Sequence, residues 1–525
     1  GELMGTFKVK DFELAGRIGV LETKSGRVET PAFFPVIDPL RQDVTPQEIK
    51  EVGFNQVITN AYLLFKRFGE KAKEVNVHSV LGFDGVIMTD SGAYQLLEYG
   101  KIDIKQETIV SFEREIGSDI AVILDHPTGD VSRRLAEESV NETLRNAKEA
   151  LGYIGSDGPI WVLPIQGGRY LDLVARSAKE SAELPYPMYG IGSPTVFMEK
   201  YNYNVVIDMI GTAKRFLRPE RPVHLFGAGH PLIFPFAVAL GIDTFDSASY
   251  MLYARDDRYI TDYGTVKLQD LEYFPCSCPV CIKYTPRDLL EMPPAQRRKL
   301  LAIHNLYMIR RAIERVKQSI REGRLWELLV EISNYRPEAK EALRAISKHY
   351  KYMESFTPTS KGNLRGVRFT SLESTWNPRV LRLRTWVLLN YRPAARSVKL
   401  VPLLSRTGMC PRLRGEGVAY YLPYLGVVPA ELCGAYPTAQ FSYAEPVPGD
   451  VVRDLVNFMR SLAIRLRSEG YTVAVEVTQR KSWSVEVGRE LGRLGFPVSG
   501  LDAAPGKSAG NSSFGSEGQA RALET

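Results

Sequence analysis

Between Thr30 and Tyr250, eight short apolar runs rich in β-branched residues alternate with amphipathic stretches of helical period, and few folds accept that alternation. The runs are Pro31 to Ile37, Phe54 to Asn60, Gly85 to Asp90, Ile120 to Asp125, Ile160 to Gln166, Met188 to Ser193, Val223 to Gly227 and Asp243 to Ser247. Helical spacing is clearest over Ile109 to Ile116, Arg134 to Ile154, Leu171 to Leu184, Tyr203 to Leu217 and Ile233 to Leu240. Eight strand-helix units of this length predict an α/β chain built on a (β/α)8 TIM barrel over residues 1–272, with functional groups gathered where the strands end.

Those ends are polar. Five runs finish at Asp90, Asp125, Gln166, Gly192 or Gly227, the eighth carries Asp246, and most are followed at once by Gly, Ser or Pro. One Asp in such a place is as well explained as a helix N-cap. Three, with Gln166-Gly167-Gly168 between them, point to a site.

The next signal is Cys276-x-Cys278-x-x-Cys281, followed 23 positions later by His304 inside a helical run. Three thiolates on a tight loop and one imidazole from the next helix predict a closed tetrahedral zinc site, one Zn2+ per chain. With no open position such a metal fastens loop to helix and activates no water. We take residues 273–355 as a zinc-binding and helical subdomain, with a charged helical stretch from Pro294 to about Glu354.

Five cysteines in so long a chain are too few and too unevenly spread for a disulfide scaffold, and the clustering of three of them points to a metal in a reducing compartment. No apolar run approaches the roughly 18 residues of a membrane span. The expected location is cytoplasmic, with no membrane contact.

Beyond Phe356 the composition turns to Arg, aromatic and Pro. From there to Gln440 twelve basic residues face three acidic ones, so in a chain of net charge +6 the remainder is close to −3. Trp376, Trp386, Tyr391, Tyr420, Tyr421 and Tyr424 are interleaved with them, a mixture that suits a phosphate backbone and unstacked bases, or else a solvated basic face. Val451 to Phe496 reads as helix, strand, helix. We expect an α+β extension over 356–501, tRNA-binding in the family reading below, and a disordered Gly/Ser/Ala tail over 502–525.

Paired carboxylates at a barrel mouth suit chemistry at a sugar carbon. One attacks the anomeric centre and expels the base, while the other protonates the departing nitrogen. Asp125, Gln166 and the Gly192 backbone would supply donors and acceptors for a purine edge. The residues alone leave open which carboxylate attacks.

Met88-Thr89-Asp90-Ser91-Gly92-Ala93-Tyr94-Gln95, Leu124-Asp125-His126-Pro127, Pro164-Ile165-Gln166-Gly167-Gly168, Tyr189-Gly190-Ile191-Gly192 and Phe245-Asp246-Ser247-Ala248-Ser249-Tyr250, ahead of the Cys3His cluster, closely resemble the tRNA-guanine transglycosylases. The resemblance spans about residues 5–350. It implies that Asp246 is the nucleophile, that Asp90 is its acid-base partner, and that Asp125, Gln166, Gly192 and Ser193 hold the base. The segment Gly426 to Leu432 with Ala435 to Gln440 resembles the extension of the archaeal branch. That branch places 7-cyano-7-deazaguanine (preQ0) at the D-loop guanine, position 15, on the route to archaeosine. The same resemblance implies a homodimer around the zinc subdomain, with tRNA, guanine and 7-cyano-7-deazaguanine as partners. Archaeal chains usually end in a PUA domain, and the last residues here are a Gly/Ser stretch instead, which leaves two ways of docking tRNA open: without a PUA domain, or with a separate PUA protein. Two other readings are weighed: queuosine-type exchange in the anticodon, and a non-catalytic tRNA-binding subunit.

Overall fold

The computed structural model describes residues 6–93, 105–192, 194–408 and 417–500. The chain divides into two compact units, Gly1–Pro358 and Thr359–Thr525.

The first unit opens with an antiparallel sheet of β1 (Thr6–Glu13), β2 (Gly16–Thr23) and β3 (Gly26–Thr30). Eight parallel strands then close into a barrel: β4 (Ala32–Ile37), β5 (Gln56–Asn60), β6 (Val86–Asp90), β7 (Ile120–Val122), β8 (Ile160–Ile165), β9 (Met188–Ile191), β10 (Val223–Leu225) and β11 (Thr244–Ser247). All eight apolar runs become strands, most of them shorter than the run. Asp90 and Asp246 stay within their strands, whereas Asp125, Gln166, Gly192 and Gly227 lie just past the ends of theirs.

Successive side chains on a strand point to opposite faces, so parity decides what enters the barrel. The interior is packed by Phe34, Ile58, Val86, Met88, Ile120, Val122, Ile160, Val162 and Met188. Leu21 and Val28 of the N-terminal sheet join that cluster with Phe7 against it, so β1 to β3 plug one end of the barrel. Continuing the same parity brings Asp90 inward after Val86 and Met88, and Gln166 inward after Ile160 and Val162. Asp246 pairs in register with inward-facing Phe34.

The helices pack outside by their apolar stripes. Arg133–Ala150, capped by Ser132, buries Ala136, Val140, Leu144 and Ala147 at helical spacing. After the barrel come the hairpin β12 (Arg258–Thr261) and β13 (Gly264–Lys267), then a 29-residue helix Pro294–Glu322. Proline opens that helix and left-handed Gly323 closes it. Three shorter helices follow, so the charged stretch is four helices instead of one.

In the second unit β14 (Val367–Phe369) pairs with β18 (Phe441–Tyr443). A five-stranded sheet runs in the order β17 (Gly426–Pro429), β16 (Val418–Leu422), β15 (Ser397–Pro402), β19 (Thr472–Val477), β20 (Val498–Gly500), parallel except for β17. Helices Gly449–Ser468 and Ser482–Arg493 flank β19, close to the helix, strand, helix expected there.

This unit corrects the reading of the aromatic residues. Tyr391, Tyr420, Tyr421 and Tyr424 are all at most 2% exposed and belong to the core, Tyr420 and Tyr421 as consecutive residues of β16, a strand covered on both faces. Of the aromatics singled out, Trp386 is the exposed one, at 43%. Arg384 is internal as well. Its guanidinium forks onto Asp454 at 2.9 Å twice, donates to the Tyr424 carbonyl at 2.9 Å and lies over the Phe458 ring. Arg365, Arg368, Arg392 and Arg396 do face solvent. Arg412, Arg414 and the tail after Asp502 lie outside the described residues.

Candidate active site

Strand parity delivers Asp90, Gln166 and Asp246 to the barrel interior, and short turns add Asp125 and Gly192. Asp90 ends β6, and its Oδ1 accepts the Gly92 N–H at 2.8 Å. Gly92 has φ +81°, and a Cβ there would meet Tyr62 Cβ at 2.4 Å, so only glycine makes this turn. The Asp90 carboxyl is pushed up to about 7, chiefly by burial, next by the charge of Asp246 and less by that of Asp125, against the Gly92 hydrogen bond.

Asp246, 7% exposed, is held from two sides. Its Oδ2 lies 2.6 Å from His224 Nε2, and its Oδ1 accepts the Gly227 N–H at 3.2 Å. The two carboxylates are thus placed in unlike surroundings. Asp90 retains its proton to near neutrality, and Asp246 meets the imidazole of His224. Environments that separate paired acids in this way distinguish an acid from a nucleophile.

Asp125 and Gln166 form the neighbouring polar wall. Gln166 Nε2 donates to Asp125 Oδ2 at 2.5 Å, while Gln166 Oε1 accepts from the Thr128 N–H at 3.2 Å and the Thr128 hydroxyl at 3.1 Å. Because Thr128 N–H can only donate, the amide orientation is fixed. Burial also pushes Asp125 up to about 7, opposed by its own backbone N–H and by Gln166. The Gly192 N–H is already given to the Ile165 carbonyl at 2.9 Å, so this residue does not supply the backbone donor expected of it. It supplies room: a Cβ at Gly192 would sit 2.6 Å from Gln166 Nε2. Ser193 lies outside the described residues.

His224 is the residue that sequence reasoning missed. It stands in the middle of β10, fully buried, and a lone histidine in an apolar run reads as an ordinary strand position. The available signal was its place in the run beside the one that carries Asp246.

Away from the barrel mouth, Cys276, Cys278, Cys281 and His304 bring one ligand atom each within 4.8 Å of one another. His304 Nε2 donates to the Ile260 carbonyl of β12 at 2.9 Å, which turns Nδ1 toward the sulfurs, 3.2 Å from Cys281 Sγ and 3.5 Å from Cys278 Sγ. Zinc bonds of about 2.0–2.3 Å in tetrahedral array separate ligand atoms by roughly 3.5 Å, so three thiolates and one imidazole with its outer nitrogen tied down fit such an ion. Tyr259 stacks on His304 at 3.7 Å between ring centres, and its hydroxyl lies 3.3 Å from Cys281 Sγ.

Comparison with known proteins places the chain in a family. The family described as queuine tRNA-ribosyltransferase matches residues 11–338. A protein of Aeropyrum pernix named tRNA-guanine(15) transglycosylase is 52% identical over 495 residues, 91% of this chain and 95% of its own length. One of the same name from Sulfolobus acidocaldarius is 44% identical over 87% of this chain and 93% of its own. Another, from Pyrococcus furiosus, is 46% identical over 69% of this chain and 62% of its own.

Proposed function

The chain belongs to the queuine tRNA-ribosyltransferase family, the tRNA-guanine transglycosylases, and from that premise we propose that it removes guanine from position 15 of the tRNA D loop and inserts 7-cyano-7-deazaguanine, the step that commits a tRNA to archaeosine. The observation that carries the reading is the pairing at one barrel mouth of Asp90, protonated up to about pH 7, with Asp246, which carries an imidazole donor.

The steps follow from those surroundings. An Asp246 oxygen attacks the anomeric carbon of the nucleotide as the glycosidic C–N bond breaks. The electron pair leaves on guanine, which takes the proton of Asp90. The ribose is then held as an ester of Asp246. In the second half the incoming 7-deazaguanine gives its ring N–H proton to the Asp90 carboxylate, its nitrogen attacks the same carbon, and Asp246 departs. Asp125 and Gln166 present the hydrogen-bonding edge against which a guanine-type base is read. A base of another donor and acceptor pattern cannot match that edge.

The metal in this account is zinc, held by Cys276, Cys278, Cys281 and His304, and it fixes the cysteine loop to the long helix without entering the reaction. Tyr273 at 80% and Ile282 at 74% exposure lie on that loop and support a homodimer formed there. The second unit takes part in holding tRNA. The expected location is the cytoplasm, and no helix among the described residues is long and apolar enough to cross a membrane.

Incubation with labelled guanine and unmodified tRNA, followed by nuclease mapping and a chase with 7-cyano-7-deazaguanine, tests the reading. Label is expected at position 15 and is expected to be released by the chase. Label in the anticodon would replace this reading by queuosine-type exchange, and no label at all would leave a tRNA-binding subunit.

A further inference from the structure

His224 sits where a side chain can govern Asp246. It is 0% exposed, between the Phe226 ring at 4.6 Å and the Phe34 ring at 6.2 Å between centres. Its β10 position pairs in register with Thr244 of β11. Thr244 and Asp246 are two residues apart and share a face, so one imidazole spans both, with Nδ1 2.7 Å from Thr244 Oγ1 and Nε2 2.6 Å from Asp246 Oδ2. Among the described residues these are the polar side chains recorded on its ring.

An ionised carboxylate accepts hydrogen bonds and cannot donate them, so a proton lies on Nε2, and in the neutral ring Nδ1 accepts from the Thr244 hydroxyl. We propose that His224 is a positioning residue for the nucleophile: its Nε2–H ties down Oδ2 of Asp246 and leaves Oδ1 as the attacking oxygen. The inference rests on Asp246 being the nucleophile.

The geometry assigns the two oxygens different duties. Gly227, whose N–H meets Oδ1 at 3.2 Å, lies beyond the C-terminal end of β10, on the mouth side of the barrel. His224 lies within the strand, on the inner side. Oδ1 therefore faces the mouth with a longer, weaker hydrogen bond, and Oδ2 faces inward with a short one. The charge-assisted bond to His224 also offsets the burial of a carboxylate beside Asp90 and the repulsion between the two acids. Thr244 holds the ring in the tautomer this requires.

The test compares His224→Phe, which keeps an aromatic ring without the donor, and His224→Gln, whose amide restores one. The readouts are the single-turnover rate of the denaturation-resistant tRNA adduct and KM for tRNA. His224→Phe is expected to slow adduct formation by on the order of 10- to 100-fold, the loss of a hydrogen bond to a charged group, with KM within about twofold. His224→Gln is expected to recover most of that rate. Adduct formation by His224→Phe at the wild-type rate would overturn the proposal. So would His224→Gln as slow as His224→Phe with both melting like wild type, since ring shape would then be what matters. Asp246→Asn is run alongside. If it still forms adduct, the assignment of the nucleophile has failed. If it forms none while His224→Phe is fully active, only the present inference has.

Discussion

Asp90 and Asp246 bear the same functional group, and their surroundings allot them different work. Desolvation and the neighbouring carboxylates hold the proton on Asp90 up to about pH 7, far above an ordinary aspartate, against the hydrogen bond from the Gly92 N–H. Because departure of guanine needs that proton, the exchange rate is predicted to be full below pH 7 and to fall as pH rises through it. Asp90→Asn is predicted to slow exchange by about 10² to 10⁴-fold and to abolish that alkaline decline, measured as a pH–rate profile. A decline that persists in the Asn variant would move the acid elsewhere. At this scale much of the site was legible, because the strand-end aspartates and Gln166 are polar residues where an apolar run stops. His224 was not, since its one signal, a place in the run next to that of Asp246, does not tell a histidine aimed at a carboxylate on the adjacent strand from one packed in a core. The Gly192 backbone was read among the donors and acceptors for the base; its N–H is spent on Ile165, and its missing side chain leaves the space that Gln166 fills.

Elements turn these residues into a site through parity and length. The eight barrel strands were legible because covered parallel strands leave continuous apolar runs. The N-terminal sheet was not anticipated: its charges disguise a buried element, in which Asp11, Glu13 and Arg17 are all covered and Arg17 pairs with Asp243. The metal loop makes an element out of residues that cannot hold a fold by themselves. Between Leu271 and Pro279 the chain has no regular secondary structure, and its order comes from the sulfurs converging on His304. Cys278→Ala is therefore predicted to lower zinc content, measured by elemental analysis, and melting temperature together, since a structural site contributes its binding free energy to folding. Zinc-free protein with unchanged melting and activity would contradict a structural role.

At the scale of the whole molecule, charge is divided unevenly, with an excess of nine positive charges between Phe356 and Gln440 and a remainder near −3. Composition could not say which of those residues meet solvent, and the fold does. Arg384 is a buried ion-pair partner, whereas Arg365, Arg368 and Arg396 are exposed. Replacing the latter three with alanine is predicted to weaken tRNA binding at low salt. It should also reduce the slope of log affinity against log salt by up to about two to three, with the affinity for guanine unchanged. Arg384→Ala should instead destabilise the second unit by about 3 kcal/mol, because Asp454 is left without its partner. An unchanged slope in the triple variant would make the basic run a solvated face. The claim that joins both units is that a folded tRNA is opened at one nucleotide and held on one aspartate. The most direct measurement is to denature the protein with tRNA in the absence of free base, digest the complex with nuclease and protease, and locate the covalent link by mass spectrometry. The predicted result is the ribose of nucleotide 15 esterified to the peptide at Asp246. A link at Asp90, a link to an anticodon nucleotide, or the absence of any covalent product would contradict the account.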